Sequence, residues 1–498
     1  MKRFHRALAA LLCADLLLAP GAAGAQAGAP WPEPKPAPAQ AWQEPWTPRN
    51  APSFQAPSAA HCARPVSTRE VPAPVDARWQ HESHAAGTAA PMAGDRSARS
   101  PSPTSPPVAA TSPAGPRALP APAAPPPAAA APAPAPGPAL RTQREAIHDD
   151  VQQRAPHGPV TAGVVDDNAD FGAYLAFRQR TRVEHRPRDV RERYLLEVKD
   201  ARGRGVADAE VAVRGASGFA MWARTDAGGR VWLHPDAFDP ARSPAYEVVA
   251  RKDGRQAAAR LARGQRSGVE VVLDALPAQR RARLDLVFLV DATGSMADEI
   301  DKLKATLRTI TAEVAALPSR PDICLALVAY RDRADAFLLR SHDFTDDVGG
   351  FLQHALVPLQ ADGGGDYPEA MNEALHETVH NLHWRGDGAT RMVVLLADAP
   401  PHLDYGAPHY DDDMLAAVGK GIKIFGVGAS GLDRQGEFIQ RQLAQYTGGK
   451  FVFLTYADAR HPGSGPGRET VHDVRNYSVD TLDRLIVRLV TEELARGQ

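Results

Sequence analysis

The stretch Leu284-Asp-Leu-Val-Phe-Leu-Val-Asp-Ala-Thr-Gly-Ser-Met296 indicates the fold class. Its first seven residues are almost all apolar, which is typical of a strand buried on both faces of a sheet. Similar apolar runs begin at Ile323, Met392, Ile422 and Phe451, and helical stretches separate most of them. Alternating strands and helices predict an α/β domain over residues 281–498, built on a doubly wound, mostly parallel sheet.

Helices are predicted between these strands from the spacing of apolar residues and from one proline. Ala297–Ala316 carries apolar residues at helical spacing, and Pro368–Leu382 begins with proline in its first turn. An amphipathic helix over Leu482–Leu494 closes the domain. A further short strand is expected at Ala336–Leu339.

Oxygen-bearing side chains follow the predicted strands at the edge where such sheets bind ligands. The first strand ends in an Asp-x-Thr-x-Ser series, whose alternate spacing lets one tight turn aim three side chains at one point. Carboxylates and hydroxyls are ligands for hard divalent cations such as Mg²⁺ and Ca²⁺. The sequence therefore predicts one site for Mg²⁺ or Ca²⁺, with the ligands Asp291, Thr293, Ser295, Asp366 and Asp398.

The motifs Asp-x-Thr-Gly-Ser-Met, Gly-Gly-Gly-Asp-x-Pro-Glu-Ala and Leu-Leu-Ala-Asp-Ala-Pro-Pro-His together resemble those of von Willebrand factor type A domains. The resemblance implies a metal-ion-dependent adhesion site, in which a bound divalent metal ion binds an acidic group on a partner protein or cell surface. It assigns Asp291, Thr293 and Ser295 to the first loop of that site and Asp398 to the last. The family's second-loop threonine has no clear counterpart, and Asp366 is the nearest candidate.

That departure changes the expected charge at the site. Three carboxylates around one divalent ion leave a local charge of about -1. Such a site is expected to hold its ion firmly, and to attract a partner's carboxylate less than a site with two aspartates. Metal occupancy is therefore favoured over metal-gated adhesion.

A competing motif, His376-Glu377-Thr-Val-His380, matches the His-Glu-x-x-His helix of zinc peptidases. In that alternative the chain is a secreted zinc metallopeptidase. No Gly-x-x-His extension follows, nothing in the sequence positions Asp387 or Asp404 as a third ligand, and the histidines are expected on a solvated flank. A metal-free structural envelope protein is the third alternative.

Other functions are disfavoured by composition and by missing motifs. The formal net charge is -2, which argues against a globally basic nucleic-acid binder. Neither a Gly-x-x-x-x-Gly-Lys-Ser/Thr loop nor a Gly-x-Ser-x-Gly elbow is present. The chain is therefore predicted to be a binding protein and not an enzyme.

The N-terminal part predicts an exported, tethered chain. Residues 1–27 show a basic head, an apolar run and an Ala-x-Ala end, the layout of a signal peptide. This predicts a secreted or periplasmic location, and no later run suits a membrane span. Residues 28–140, rich in proline and alanine, are expected to be a disordered tether, and residues 141–193 a linker. Cys62 and Cys324 are not expected to pair.

Residues 194–275 contain several short alternating strands separated by Gly/Asp turns. This pattern predicts a small all-β sandwich. The segments beginning at Asp200 and Thr225 resemble those of carboxypeptidase-regulatory-like modules. That resemblance implies a spacer or a binding platform without catalysis.

Overall fold

The computed structural model describes residues 62, 67–74, 159–216, 220–274, 282–365, 367–386 and 388–496. The expected signal peptide, residues 1–27, lies outside the described residues, as does most of the expected tether. The strands are β1 Thr68–Val71, β2 Thr161–Val165, β3 Tyr194–Lys199, β4 Glu210–Gly215, β5 Ala220–Arg224, β6 Arg230–Leu233, β7 Ala245–Lys252, β8 Arg255–Ala262, β9 Val269–Val272, β10 Arg283–Asp291, β11 Asp322–Tyr330, β12 Leu339–Thr345, β13 Ala389–Ala397, β14 Ile422–Gly428, β15 Phe451–Thr455 and β16 Val479–Thr481.

The helices complete the alternating pattern. They are α1 Phe171–Arg180, α2 Pro235–Phe238, α3 Ala297–Ala315, α4 Val348–Phe351, α5 Met371–His376, α6 Tyr410–Lys420, α7 Arg434–Thr447 and α8 Leu482–Ala495. Within the described residues, none of the helices combines the length and apolar character that a membrane crossing needs.

A nine-stranded sheet forms the centre of the C-terminal part, in the order β1-β12-β11-β10-β13-β14-β15-β2-β16. The five strands from β11 to β15 in this order, β11-β10-β13-β14-β15, pair in parallel. The outer strands β12, β1, β2 and β16 pair antiparallel. The sheet is therefore mixed, with the predicted parallel arrangement in its centre.

Strand β10 shows why the sheet is covered on both faces. Val287 and Leu289 pack into one apolar cluster, with residues of α5, α6 and α7. Leu286, Phe288 and Val290 pack into the other, with residues of α3 and α8. Successive side chains of a strand point to opposite faces, so a continuous apolar run buries both.

Two predicted elements differ in extent from those observed. The strand expected at Ala336–Leu339 begins instead at Leu339 and runs to Thr345. The helix expected over Pro368–Leu382 begins at Met371 and continues from Glu377 to Asn381 as a π-helix. Its start is delayed because Glu369 bridges Pro401 in an extended conformation.

The region before β10 contains two smaller sheets. One has the order β6-β3-β9 and the other β5-β4-β7-β8. Buried residues of both sheets, such as Leu196 and Val248, belong to the same apolar cluster as Val287. The likeness of this region to a carboxypeptidase-regulatory-like module stays a prediction.

Two segments expected to lie outside the folded domains contribute to the central sheet, which corrects those boundaries. Strand β2 and helix α1 fall within the expected linker, and β2 pairs with β15. On α1, Phe177 stacks near Phe438 at 5.9 Å between ring centroids. Strand β1 falls within the expected tether, and it pairs with β12 from Thr68 to Val71. Composition does not reveal such short strands, because their pairing partners lie far away in sequence.

Cys62 and Cys324 form a disulfide, so the expectation that they stay unpaired is wrong. Their Cα atoms are 5.6 Å apart across a sequence separation of 262 residues. Cys324 lies on β11, and the pairing of β1 with β12 brings the N-terminal segment beside it. The bond fastens this segment to the central sheet.

We expect Cys62→Ser to lower the free energy of unfolding by about 2–4 kcal/mol, because the bond restricts the unfolded chain across a long loop. Urea denaturation with and without a reducing agent measures the effect. Reduction should bring the wild-type protein to the stability of the variant and leave the variant unchanged. Equal wild-type stability under both conditions would contradict this expectation.

Candidate metal centre

The candidate site lies at the carboxyl edge of the parallel strands, where β10 and β13 end side by side. Val290 on β10 pairs with Leu396 on β13, so Asp291 and Asp398 follow at the same edge. Asp291 is fully buried and Asp398 is 5% exposed. The structure thus brings together two carboxylates that are far apart in sequence.

The first loop turns tightly and gathers three oxygen-bearing side chains. Asp291 Oδ1 accepts hydrogen bonds from the Thr293 backbone N–H at 3.0 Å and from Thr293 Oγ1 at 2.7 Å. Thr293 Oγ1 lies 3.1 Å from Ser295 Oγ. A short 3₁₀ turn, Gly294–Met296, then leads into α3. Thr293 is buried and Ser295 is exposed, so the series runs from the sheet edge towards solvent.

Both carboxyl groups at this edge of the sheet have raised pKa values. Burial and the nearby charge of Asp398 raise the pKa of Asp291 to about 7. Burial also raises the pKa of Asp398, and a hydrogen bond with Ser295 opposes this shift. Asp291 Oδ2 and Asp398 Oδ1 are buried and make no hydrogen bond of ordinary geometry with a described residue, although the Tyr330 hydroxyl lies close enough to Asp291 to oppose the rise in its pKa. Such oxygens require a proton or a cation to balance the cost of their burial.

The glycine loop, which contains Gly363 and Gly364, packs directly on the first loop, which runs from Asp291 to Ser295. Gly294 N donates to Gly363 O at 2.9 Å, and Gly364 N donates to Asp335 Oδ2 at 2.9 Å. Gly364 has φ +67°, and a Cβ atom there would lie 3.0 Å from the Thr293 Cβ. Glycine is therefore required for this close approach. Asp366, the predicted second-loop ligand, lies outside the described residues.

Glu369 is a site residue that the sequence analysis missed. It is 4% exposed. A Cβ atom added to Gly364 would lie 3.0 Å from Glu369 Oε1 and 3.0 Å from Thr293 Cβ, so Glu369 and Thr293 both approach this glycine closely. Burial, together with the charges of Asp291, Asp398 and Glu369, raises the pKa of Tyr330 well above its ordinary value. All three carboxylates therefore lie near one buried phenol. Glu369 belongs to the same sequence motif as Asp366, so the motif could have indicated it as a ligand. Asp366 was predicted instead because it directly follows the glycines.

The donor set suits a hard cation. It combines carboxylate and hydroxyl oxygens without sulfur or imidazole, which is the ligand chemistry of Mg²⁺ and Ca²⁺. Among the buried oxygens of the described residues that lack a hydrogen bond of ordinary geometry are Asp291 Oδ2 and Asp398 Oδ1, which belong to residues predicted as ligands. Asp291, Thr293, Ser295 and Asp398 thus fit the group that the sequence predicts.

The His-Glu-x-x-His motif has a geometry that argues against peptidase chemistry. Glu377 is 3% exposed and forms an ion pair with Arg69 of β1. It also accepts hydrogen bonds from Ser341 Oγ at 2.8 Å and from Asn381 Nδ2 at 2.7 Å. A glutamate that activates a metal-bound water needs an oxygen free to accept its proton. Here the carboxylate is committed to contacts that hold β1 and the π-helix.

Comparison with known proteins finds a family match for part of the chain. Residues 285–455 match the family model of the von Willebrand factor type A domain. An ariadne-like RING finger protein of Acanthamoeba polyphaga mimivirus is 33% identical over 125 residues, 24% of this chain and 12% of that protein. The alpha-protein kinase vwkA of Dictyostelium discoideum is 29% identical over 125 residues, again 24% of this chain and 19% of the kinase. The chain thus spans less than a fifth of either relative.

The solved structures that match part of this chain include BatB of Bacteroides thetaiotaomicron. It has 14% identity and a TM-score of 0.30, and the match covers 43% of this chain and 99% of BatB. The pilus adhesin SpaC of Lactobacillus rhamnosus GG has 14% identity and a TM-score of 0.27, and the match covers 42% of this chain and 32% of SpaC. The family match, together with the loops around Asp291 and Asp398, identifies residues 285–455 as a von Willebrand factor type A domain.

Proposed function

We propose that the von Willebrand factor type A domain binds one divalent cation, Mg²⁺ or Ca²⁺, and contacts a protein or cell-surface partner without catalysis. The ligands are drawn from Asp291, Thr293, Ser295 and Asp398. The observation that carries the proposal is the pair of buried carboxylate oxygens, Asp291 Oδ2 and Asp398 Oδ1, that make no hydrogen bond of ordinary geometry with the described residues. A cation between them compensates for charge that the fold otherwise leaves buried.

The positions of the two hydroxyl groups indicate which side of the proposed site faces solvent. Thr293 is buried beside Asp291, whereas Ser295 is exposed at the end of the same series. An ion held there faces solvent on the Ser295 side, where an acidic group of a partner completes its coordination. Binding and orientation of that group are the chemistry that these residues supply.

Glu369 adds a negative charge close to the proposed ion. With Asp291 and Asp398, it brings the number of nearby carboxylates to three, the number that the sequence predicts with Asp366. The local charge with a divalent ion is then about -1. This balance favours firm retention of the ion and a modest attraction for a partner's carboxylate.

Export of the chain is part of the proposal, and the disulfide supports it. Structural disulfides persist in oxidising compartments and are rare in the cytosol. The Cys62–Cys324 bond joins the N-terminal segment to β11 of the central sheet. A secreted or periplasmic location is consistent with such a bond.

Isothermal titration of the full chain with Mg²⁺ and with Ca²⁺ tests the proposed metal site. We expect one ion per chain for the wild-type protein and no measurable binding for Asp291→Ala, because this change removes a central carboxylate. Asp362→Ala is the matched control, since Asp362 lies in the neighbouring loop with a side chain that is 79% exposed. Unchanged binding in Asp291→Ala, or no binding by the wild-type protein, contradicts the proposal.

A further inference from the structure

His376, His380 and Asp413 form a second cluster of ligand-type side chains, away from the strand ends. Their ligand atoms all lie within 4.8 Å of one another. His376 Nδ1 lies 3.1 Å from Asp413 Oδ1, and His380 Nε2 lies 2.9 Å from the same oxygen. The proposed function does not use these residues.

The local structure explains how the three side chains meet. His376 ends α5 and His380 lies four residues later in the π-helix, so both project from one face. Their rings stack with centroids 4.5 Å apart. Asp413 lies in the first turn of α6, and α6 packs against α5. The cluster therefore joins two consecutive helices.

A second, independent observation concerns the carboxylate of Asp413. Its side chain is 4% exposed, and its second oxygen, Oδ2, is buried and accepts no hydrogen bond from any described residue. The histidine side chains are 46% and 36% exposed. One wall of the cluster is thus a buried carboxylate with spare acceptor capacity, and the other is open to solvent.

We propose that His376, His380 and Asp413 bind one Zn²⁺ ion, with a fourth coordination position open to solvent. Two imidazoles and one carboxylate are ligands typical of zinc sites with an open position. Zinc bonds of about 2.0–2.2 Å in tetrahedral geometry place ligand atoms roughly 3.3 Å apart. This is close to the distances of 3.1 Å and 2.9 Å that separate the two histidine nitrogens from Asp413 Oδ1. Mg²⁺ and Ca²⁺ select oxygen ligands. This cluster therefore prefers a different metal from the proposed site around Asp291 and Asp398, called the strand-end site below.

This site differs from the peptidase arrangement of the same motif. The third ligand comes from α6, and Glu377 points into contacts with Arg69 and Ser341. Zinc here fastens α5 to α6 and leaves one position for water or for a donor group of another molecule. We infer binding and cross-linking of the two helices, without peptide hydrolysis.

Zinc titration of the EDTA-treated full chain, in the presence of excess Mg²⁺, tests this proposal. We expect about one Zn²⁺ per chain for the wild-type protein, and at least about tenfold weaker binding for His376→Ala and for His380→Ala. His383→Ala is the matched control, because this neighbouring histidine has a side chain that is 44% exposed and pairs with Asp343 instead. It should bind zinc as the wild-type protein does.

Two further measurements distinguish this zinc site from the strand-end site and report the coordination number of the bound ion. Asp291→Ala should retain full zinc binding, which separates this site from the strand-end site. Co²⁺ substituted into the wild-type protein should show the intense visible absorption of four-coordinate cobalt, and the double variant His376→Ala/His380→Ala should lose it. The proposal is overturned if the wild-type protein binds no zinc, or if the double variant binds zinc and cobalt as the wild type does.

Discussion

Asp208→Ala is expected to lower the free energy of unfolding by about 3–5 kcal/mol, because it removes a buried carboxylate that pairs with two buried cations. Asp208 Oδ1 lies 2.7 Å from Arg224 Nε and 2.9 Å from Arg391 Nη1. Its other oxygen accepts a hydrogen bond from Gly388 N at 2.7 Å. All three ionic side chains are at most 7% exposed. Arg391 lies on β13 and Arg224 on β5, so this carboxylate links the smaller sheets to the von Willebrand factor type A domain.

The same aspartate gives a pH dependence with a definite sign. Burial alone would raise the pKa of Asp208, but the charges of Arg391 and Arg224 outweigh burial and hold the pKa below its ordinary value of 3.8. A lowered pKa in the folded state stabilises the protein above pH 3.8, and this contribution is lost as the pH falls further. The stability difference between the wild-type protein and Asp208→Ala should therefore shrink under strongly acidic conditions.

Urea denaturation near neutral and acidic pH measures both effects. Asp274→Ala is a suitable control, because the Asp274 side chain is 85% exposed in its ion pair with Arg255. Exposed pairs contribute under about 1 kcal/mol. A loss no larger for Asp208→Ala than for Asp274→Ala would show that the buried cluster does not hold the two regions together.

Asp398→Asn is expected to change stability in opposite directions, depending on the metal. Without a divalent ion, the variant should be more stable than the wild-type protein, because Asp291 and Asp398 no longer repel each other. With Mg²⁺ at about one hundred times its dissociation constant, the wild-type protein should gain about 2.7 kcal/mol. The variant should gain less than about 1 kcal/mol at the same concentration, since its affinity for the ion is much lower.

Thermal or urea unfolding in EDTA and in Mg²⁺ separates this prediction from a purely structural role. Asp362→Asn, an exposed change in the neighbouring loop, should follow the wild-type protein under both conditions. Equal stabilisation of wild-type protein and Asp398→Asn by Mg²⁺ would mean that Asp398 does not contribute to ion binding.

The centre of the fold was predictable because it depends on local patterns. The apolar runs of β10 and β13 are buried on both faces, and that requirement is visible in the residues themselves. Strands β1 and β2 were not predictable in this way. Each is four or five residues long and is stabilised by pairing with a strand more than 250 residues away.

The candidate site shows the same division. Asp291, Thr293, Ser295 and Asp398 follow strands whose ends meet, so their proximity follows from the sheet. Glu369 could not be placed from sequence, because its position depends on the bridge to Pro401 and on the turn through Gly364.

The Cys62–Cys324 bond depends on the docking of β1, and that docking has no signature in a proline-rich segment. Asp413 became a partner of His376 only through the packing of α6 on α5. Contacts of this kind arise from tertiary structure and leave no periodic pattern in the chain.

A crystal structure of the protein grown with Mn²⁺, an oxygen-preferring ion with an anomalous signal, shows whether Asp291 and Asp398 bind a cation. We expect one anomalous peak at the carboxyl edge of β10 and β13, in contact with oxygens of Asp291 or Asp398 and with the Ser295 hydroxyl. A map without a peak at this edge, or with the Asp291 and Asp398 carboxylates turned apart, would contradict it.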